Sequence, residues 1–154
     1  MKRSAGLLLY RLGTDGAVEV LLGHLGGPFW ARKDAGAWSI PKGEYGDGED
    51  PLRAARREFE EELGHPAPVA DPTPLGLVRQ SGGKQVTVWA VEGDLDPATA
   101  VSNTVELEWP PRSGVFRSYP EVDRVAWFGA DAAREKLVRA QAAFVDRLLE
   151  VLRT

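Results

Sequence analysis

At 154 residues the chain is long enough for one well-filled core and short for two. It has no cysteine and two histidines, which excludes disulfides, thiolate metal sites and cysteine nucleophiles and argues against a histidine-built zinc site. The formal net charge of -4 lacks the basic footprint that duplex nucleic acid requires. No apolar run approaches the roughly 20 residues of a membrane helix, and the apolar stretch near Met1 is too short for a secretory signal. The expectation is one mixed α/β domain over residues 1–154, cytoplasmic, with a small molecule as its partner rather than duplex nucleic acid or a membrane.

In chain order, the apolar runs Gly6 to Tyr10 and Val18 to Leu22 read as two strands, turned by Gly13-Thr14-Asp15-Gly16. The stretch from Gly23 to Gly36 is rich in glycine and aromatic residues and reads as a surface loop. Trp38-Ser39-Ile40 is a short strand candidate, ended by Pro41. Pro51 to Leu63 is the clearest helix: Asp50 can cap it, Pro51 suits its first turn and Gly64 can stop it. Leu75 to Gln80 and Gln85 to Val91 pair as strands across Ser81-Gly82-Gly83, with Val86, Val88 and Ala90 on one side. Val101 to Trp109 reads as extended, and Val122 to Phe128 as a final strand. From Ala130 onward the pattern is helical, with Leu137, Phe144, Leu148 and Leu152 on a shared buried side.

The segment GEYGDGEDPLRAARREFEEELGH, Gly43 to His65, carries the most information. At about 100° per residue, Glu58, Glu61 and Glu62 fall on one edge of the helix, beside an arc of Leu52, Phe59 and Leu63. Like charges at i,i+4 cost roughly 0.2–0.5 kcal/mol, so their clustering needs a reason. Carboxylates flanked by the small Ala54 and Ala55 suit a hard, oxygen-seeking cation such as Mg²⁺ or Mn²⁺. Arg57 precedes Glu61 by one helical turn and can orient it from outside the metal's own ligands.

These residues resemble the signature of the Nudix hydrolases. That signature is Gly, five residues, Glu, seven residues, Arg-Glu, an apolar residue, any residue, Glu-Glu, any residue, Gly and a last apolar residue. Gly43, Glu49, Arg57, Glu58, Glu61, Glu62 and Gly64 fill its fixed positions and Phe59 its first apolar one. His65 stands where the final apolar residue is usual. A chance match is on the order of 10⁻⁸ per window from ordinary composition, so the signature outweighs a merely solvated acidic helix. The resemblance implies an α/β/α sandwich around a mixed β-sheet. It also implies metal-dependent hydrolysis of a nucleoside diphosphate linked to a further group. Glu58, Glu61 and Glu62 would hold the metal, with the Gly43 carbonyl as a possible further ligand, and Glu49 and Arg57 would support them.

Beyond the signature, the chain resembles bacterial nucleoside-triphosphate pyrophosphohydrolases and asymmetric dinucleoside tetraphosphate hydrolases. The latter carry an acid six residues before a late strand's tryptophan. Glu121 stands six before Trp127 here, so it comes first as the outside ligand or base, ahead of Glu106 and Glu108. Lys42 and Lys84 are the preferred phosphate contacts among Lys33, Lys42, Arg79 and Lys84. Tyr119, beside Pro120 in an expected loop, is the preferred ring for stacking on a base, ahead of Trp30, Trp38 and Trp109. His24 and His65 read as surface or capping residues. The competing reading is a Nudix-fold module that senses a nucleotide without cutting it; an acidic interaction domain is a third.

Overall fold

The computed structural model describes residues 2–153. Strand β1, Arg3–Leu12, turns through Gly13 to Gly16 into β2, Val18–Leu25. The turn is closed by Gly13 N–H donating to Ala17 O at 2.7 Å, and Gly16 takes a left-handed φ of 81° that a side chain would resist. β1 pairs with β2 only over Tyr10–Leu12 and then diverges from it. The edge it vacates is taken by β4, Lys42–Glu44, so that Ala5 lies opposite Gly43. β3, Trp38–Ser39, fills the matching gap on β2.

The other edge of β1 runs parallel to β6, Gln85–Glu92, which pairs antiparallel with β5, Thr73–Arg79. The free edge of β2 takes β9, Val122–Gly129. A separate hairpin, β7 (Thr104–Glu108) with β8 (Phe116–Pro120), stands between β6 and β9.

The near-continuous apolar character of β1 and β2 follows from burial on both faces of this mixed sheet. Ala5, Leu7, Leu9 and Leu21 face one side. There they pack against Ala54, Ala55, Phe59 and Leu63 of α1, Pro51–Leu63. Leu8, Val20 and Leu22 face the other. They meet Phe144, Val145 and Leu148 of α3, Ala142–Leu152, together with Ala133 of α2, Ala130–Lys136. The result is an α/β/α sandwich with α1 alone on one face.

Several local expectations need correction. The C-terminal segment is not one helix. It breaks at Leu137, because Val138 N–H donates to Trp38 O at 2.8 Å in place of continuing the helix. Leu137 is buried all the same, whereas Leu152 is 38% exposed. Tyr119 lies in strand β8 opposite Val105 rather than in a loop. His24 is fully buried, with Nδ1 2.7 Å from Asp123 Oδ1 and Nε2 2.6 Å from Lys33 O. Both partners are acceptors, so this histidine pins the loop after β2 to β9. No helix among the described residues is long and apolar enough to cross a membrane.

Candidate active site

Helix α1 starts and stops where its chemistry says. The Asp50 side chain accepts from Arg53 N–H at 3.0 Å, and Gly64, at φ 72°, donates to Glu60 O at 2.8 Å. Its buried residues are Ala54, Ala55, Glu58, Phe59, Glu62 and Leu63. Glu58 and Glu62 therefore continue the stripe that docks on the sheet, instead of pointing to water. Glu61 lies off that stripe and is exposed.

A third acid meets the two buried ones. Carboxylate oxygens of Glu58, Glu62 and Glu121 all lie within 4.8 Å of one another. Glu121 sits just ahead of β9, and the pairing of β9 with β2 brings it across the sheet to α1. Its sequence rivals are elsewhere: Glu108 accepts from Arg112 N–H and Gly114 N–H in its own hairpin turn, and Glu106 is exposed on β7. Glu61 is outside this group of three but close to Glu58, whose charge it opposes.

Arg57 ties the edge together. Its Nε and Nη2 donate to the two Glu49 oxygens at 3.0 and 3.1 Å, and Nη1 donates to Glu58 at 2.9 Å and to Glu61 at 3.3 Å. The planar fork suits that task. Bonding to Glu49 first, then the charges of Glu58 and Glu49, hold the guanidinium protonated more firmly than usual.

Burial dominates the electrostatics of the acids. Desolvation, then the charge of Glu61, raises Glu58 above the ordinary carboxylate range despite Arg57. Desolvation raises Glu62 further still, although the Lys42 ammonium and a hydrogen bond from the Lys42 backbone oppose it. The centre is short of positive charge.

Beside the acids opens a polar cleft of about 380 Å³, lined by Ser4, Lys42, Gly43, Glu44, Glu58, Gln80, Lys84, Val86 and Glu121. Lys42 and Lys84 thus reach the same space as Glu58 and Glu121. A Cβ on Gly43 would collide with the Glu58 carboxylate, so only glycine lets β4 pass there. Tyr119, Trp30, Trp109, Lys33 and Arg79 do not line this cleft, and Trp38 is buried in the core. Sequence reading missed Gln80. It is held by the buried Gln141, whose Nε2 donates to Gln80 Oε1 at 3.1 Å while its Oε1 accepts from Ile40 N–H at 2.9 Å. A glutamine inside an apolar helical pattern was the available signal.

A model of the NUDIX domain matches residues 2–148. The chain belongs to the NUDIX family. It is 31% identical over 146 residues to an 8-oxo-(d)GTP phosphatase of Mycolicibacterium smegmatis, covering 88% of this chain and 37% of that protein. The chain thus spans well under half of that curated relative. Among solved NUDIX structures it resembles RenU of M. smegmatis, with a TM-score of 0.61, 30% identity, and coverage of 97% of this chain and 84% of that one. The fold also matches a C. elegans Ap4A hydrolase in a binary complex, at a TM-score of 0.68 and 20% identity, over 97% of this chain and 98% of that one.

Proposed function

We propose that the chain is a divalent-metal-dependent pyrophosphohydrolase acting on a nucleoside triphosphate or a dinucleoside polyphosphate. The carrying observation is the grouping of the Glu58, Glu62 and Glu121 carboxylates within 4.8 Å of one another, with Glu58 and Glu121 lining a lysine-flanked cleft of a NUDIX fold. The donor set is all oxygen and under-compensated in charge, which fits Mg²⁺ or Mn²⁺ and suits no soft metal. Glu58, Glu62 and Glu121 are the ligands this arrangement supports best, with Glu61 and the Gly43 carbonyl as further ones. A bound Mg²⁺ or Mn²⁺ supplies neutralising charge and a lowered pKa for coordinated water.

The protein's own groups do the positioning. Lys42 and Lys84 meet phosphate oxygens along the cleft, and Arg57 fixes Glu58 and Glu61 in one orientation. Glu121 takes the proton of the attacking water or serves as a ligand, and Tyr119, on β8 outside the cleft, is the proposed ring for stacking on a base. Water adds across one P–O–P bond, giving two phosphate-ended products and releasing a proton. The relatives' names, an 8-oxo-(d)GTP phosphatase and an Ap4A hydrolase, support these two substrate classes.

A nucleotide panel with Mg²⁺ and with Mn²⁺, products separated by chromatography, tests this reading. Diadenosine tetraphosphate is expected to give ATP and AMP, with label from ¹⁸O-water in one product only. If it is inert and a nucleoside triphosphate is cut, the dinucleotide branch falls. If nothing is cut at any pH with either metal, the enzyme reading falls and the sensing module replaces it.

Arg57→Lys gives a sharper check on the support role. Lysine keeps the charge but loses the fork to Glu49. The expected result is a drop of about 10–100-fold in kcat with a higher half-saturating Mg²⁺ concentration and little change in KM. A rise in KM alone makes Arg57 a substrate contact instead.

A further inference from the structure

Two of the three converging acids share a helix, but Glu121 comes from a distant part of the chain. Its placement depends on a backbone strap at residues 101–103. The last turn of a helix leaves carbonyls without intrahelical partners. Here Val101 N–H donates to Leu63 O at 3.0 Å, and Asn103 N–H donates to Glu61 O at 2.8 Å. Gly64 makes this close approach possible, since a Cβ there would press on the Val101 carbonyl at 2.7 Å. The strap is thus fixed to the end of α1 that carries Glu61 and Glu62.

The same strap holds the entry to β9. Glu121 N–H donates to Asn103 O at 3.0 Å. The Ser102 hydroxyl accepts from Val122 N–H at 3.0 Å and donates to Asn103 O at 2.8 Å. On the far side, Glu121 O accepts from Gly26 N–H at 2.9 Å. Three carboxylates this close repel one another, so the backbone under Glu121 has to be held. The Ser102 side chain reaches both the strap and β9.

We propose that Ser102 is a positioning residue for the metal centre: its hydroxyl locks the 101–103 strap to the Glu121–Val122 backbone and so sets the Glu121 carboxylate against Glu58 and Glu62. This rests on the reading of those three acids as metal ligands. Ser102 does not line the lysine-flanked cleft and, on this reading, acts through Glu121. A serine in an extended segment offers no sign of this role in the sequence, because its partner lies 20 residues away.

The test is Mn²⁺ titration of the full chain by calorimetry, with no nucleotide present. Ser102→Ala is expected to weaken Mn²⁺ binding by about tenfold, the scale of losing a supporting hydrogen bond behind a ligand. Ser102→Thr, which keeps the hydroxyl, should recover to within about twofold of wild type. In a Glu121→Gln background, Ser102→Ala should weaken Mn²⁺ binding no further, since its effect passes through the removed carboxylate. If Ser102→Ala does not fold, Ser102→Cys keeps the volume while weakening both bonds and gives the same comparison. A lower Tm with unchanged Mn²⁺ affinity overturns the proposal, as does a full additional loss in the Glu121→Gln background. Unchanged Mn²⁺ affinity in Glu121→Gln by itself refutes the ligand reading, and the positioning role with it. A loss there beside a silent Ser102→Ala refutes only the positioning role.

Discussion

Glu62→Gln is expected to abolish turnover and, at the same time, to stabilise the metal-free protein at neutral pH. Glu62 is 6% exposed and lies with Glu58 and Glu121 in a group short of positive charge. Burial raises its proton affinity well above that of an exposed glutamate. The sign follows from linkage. A carboxyl whose folded-state pKa is raised binds more protons folded than unfolded, so stability is greatest at acidic pH and falls as pH rises through the raised value. Glu58 contributes in the same direction. The metal-free wild type should therefore lose Tm as pH rises above the ordinary carboxylate range. Glutamine carries no proton equilibrium, so the variant's Tm should vary less with pH and exceed wild type at pH 8. For a chain of this size each kcal/mol relieved is about 2–4 °C. Mg²⁺ should raise the wild-type Tm most at high pH and the variant's far less. Turnover should fall by on the order of 100-fold or more, since even groups behind a ligand are worth 10–100-fold. Differential scanning calorimetry at several pH values, with and without Mg²⁺, reads the first effect, and kcat at saturating Mg²⁺ the second. A variant that is less stable than wild type at pH 8 would mean that Lys42 compensates the Glu62 charge by more than burial costs it.

The helix that carries this site was legible because its signals are local. Asp50, Pro51 and Gly64 mark its ends, and spacing puts Glu58 and Glu62 one turn apart. The strands of the sheet were legible as apolar runs, since β1 and β2 are buried on both faces. What failed were features set by partners far along the chain. His24 sits at the end of an apolar run, yet its burial depends on Asp123 and on the Lys33 carbonyl. β4 is three residues long and exists because β1 leaves an edge free. The helix break at Leu137 follows from a bond to Trp38 that no propensity encodes. The grouping of Glu58 and Glu62 with Glu121, and the separation of Glu61 from them, has the same origin. Along the helix Glu61 and Glu62 look equivalent, and only docking on the sheet divides the buried from the exposed. Glu121 was singled out by resemblance, whereas its nearness to α1 is a product of strand pairing and of the 101–103 strap.

Gly43→Ala should lose activity through geometry alone, without removing any functional group. The position has no left-handed φ, so alanine costs the backbone nothing and lowers the entropy of the unfolded chain. The obstacle is the Glu58 carboxylate, which occupies the space the new methyl needs. Either Glu58 swings away from Glu62 and Glu121, or β4 moves off β1, where Gly43 pairs with Ala5. Both outcomes displace a group of the acid centre by about an ångström, a scale of error that costs on the order of 100-fold in rate. Gly46 and Gly48, in the loop that follows, supply the control. A Cβ at either meets nothing within 4 Å, and neither has a positive φ. Gly46→Ala and Gly48→Ala should keep wild-type kcat, while Gly43→Ala loses about 100-fold with its circular dichroism spectrum intact. The half-saturating Mg²⁺ concentration should rise in Gly43→Ala and in neither control. Turnover by Gly43→Ala within a few-fold of wild type would mean that the site works with Glu58 elsewhere, and Glu58 would then lose its place among the ligands.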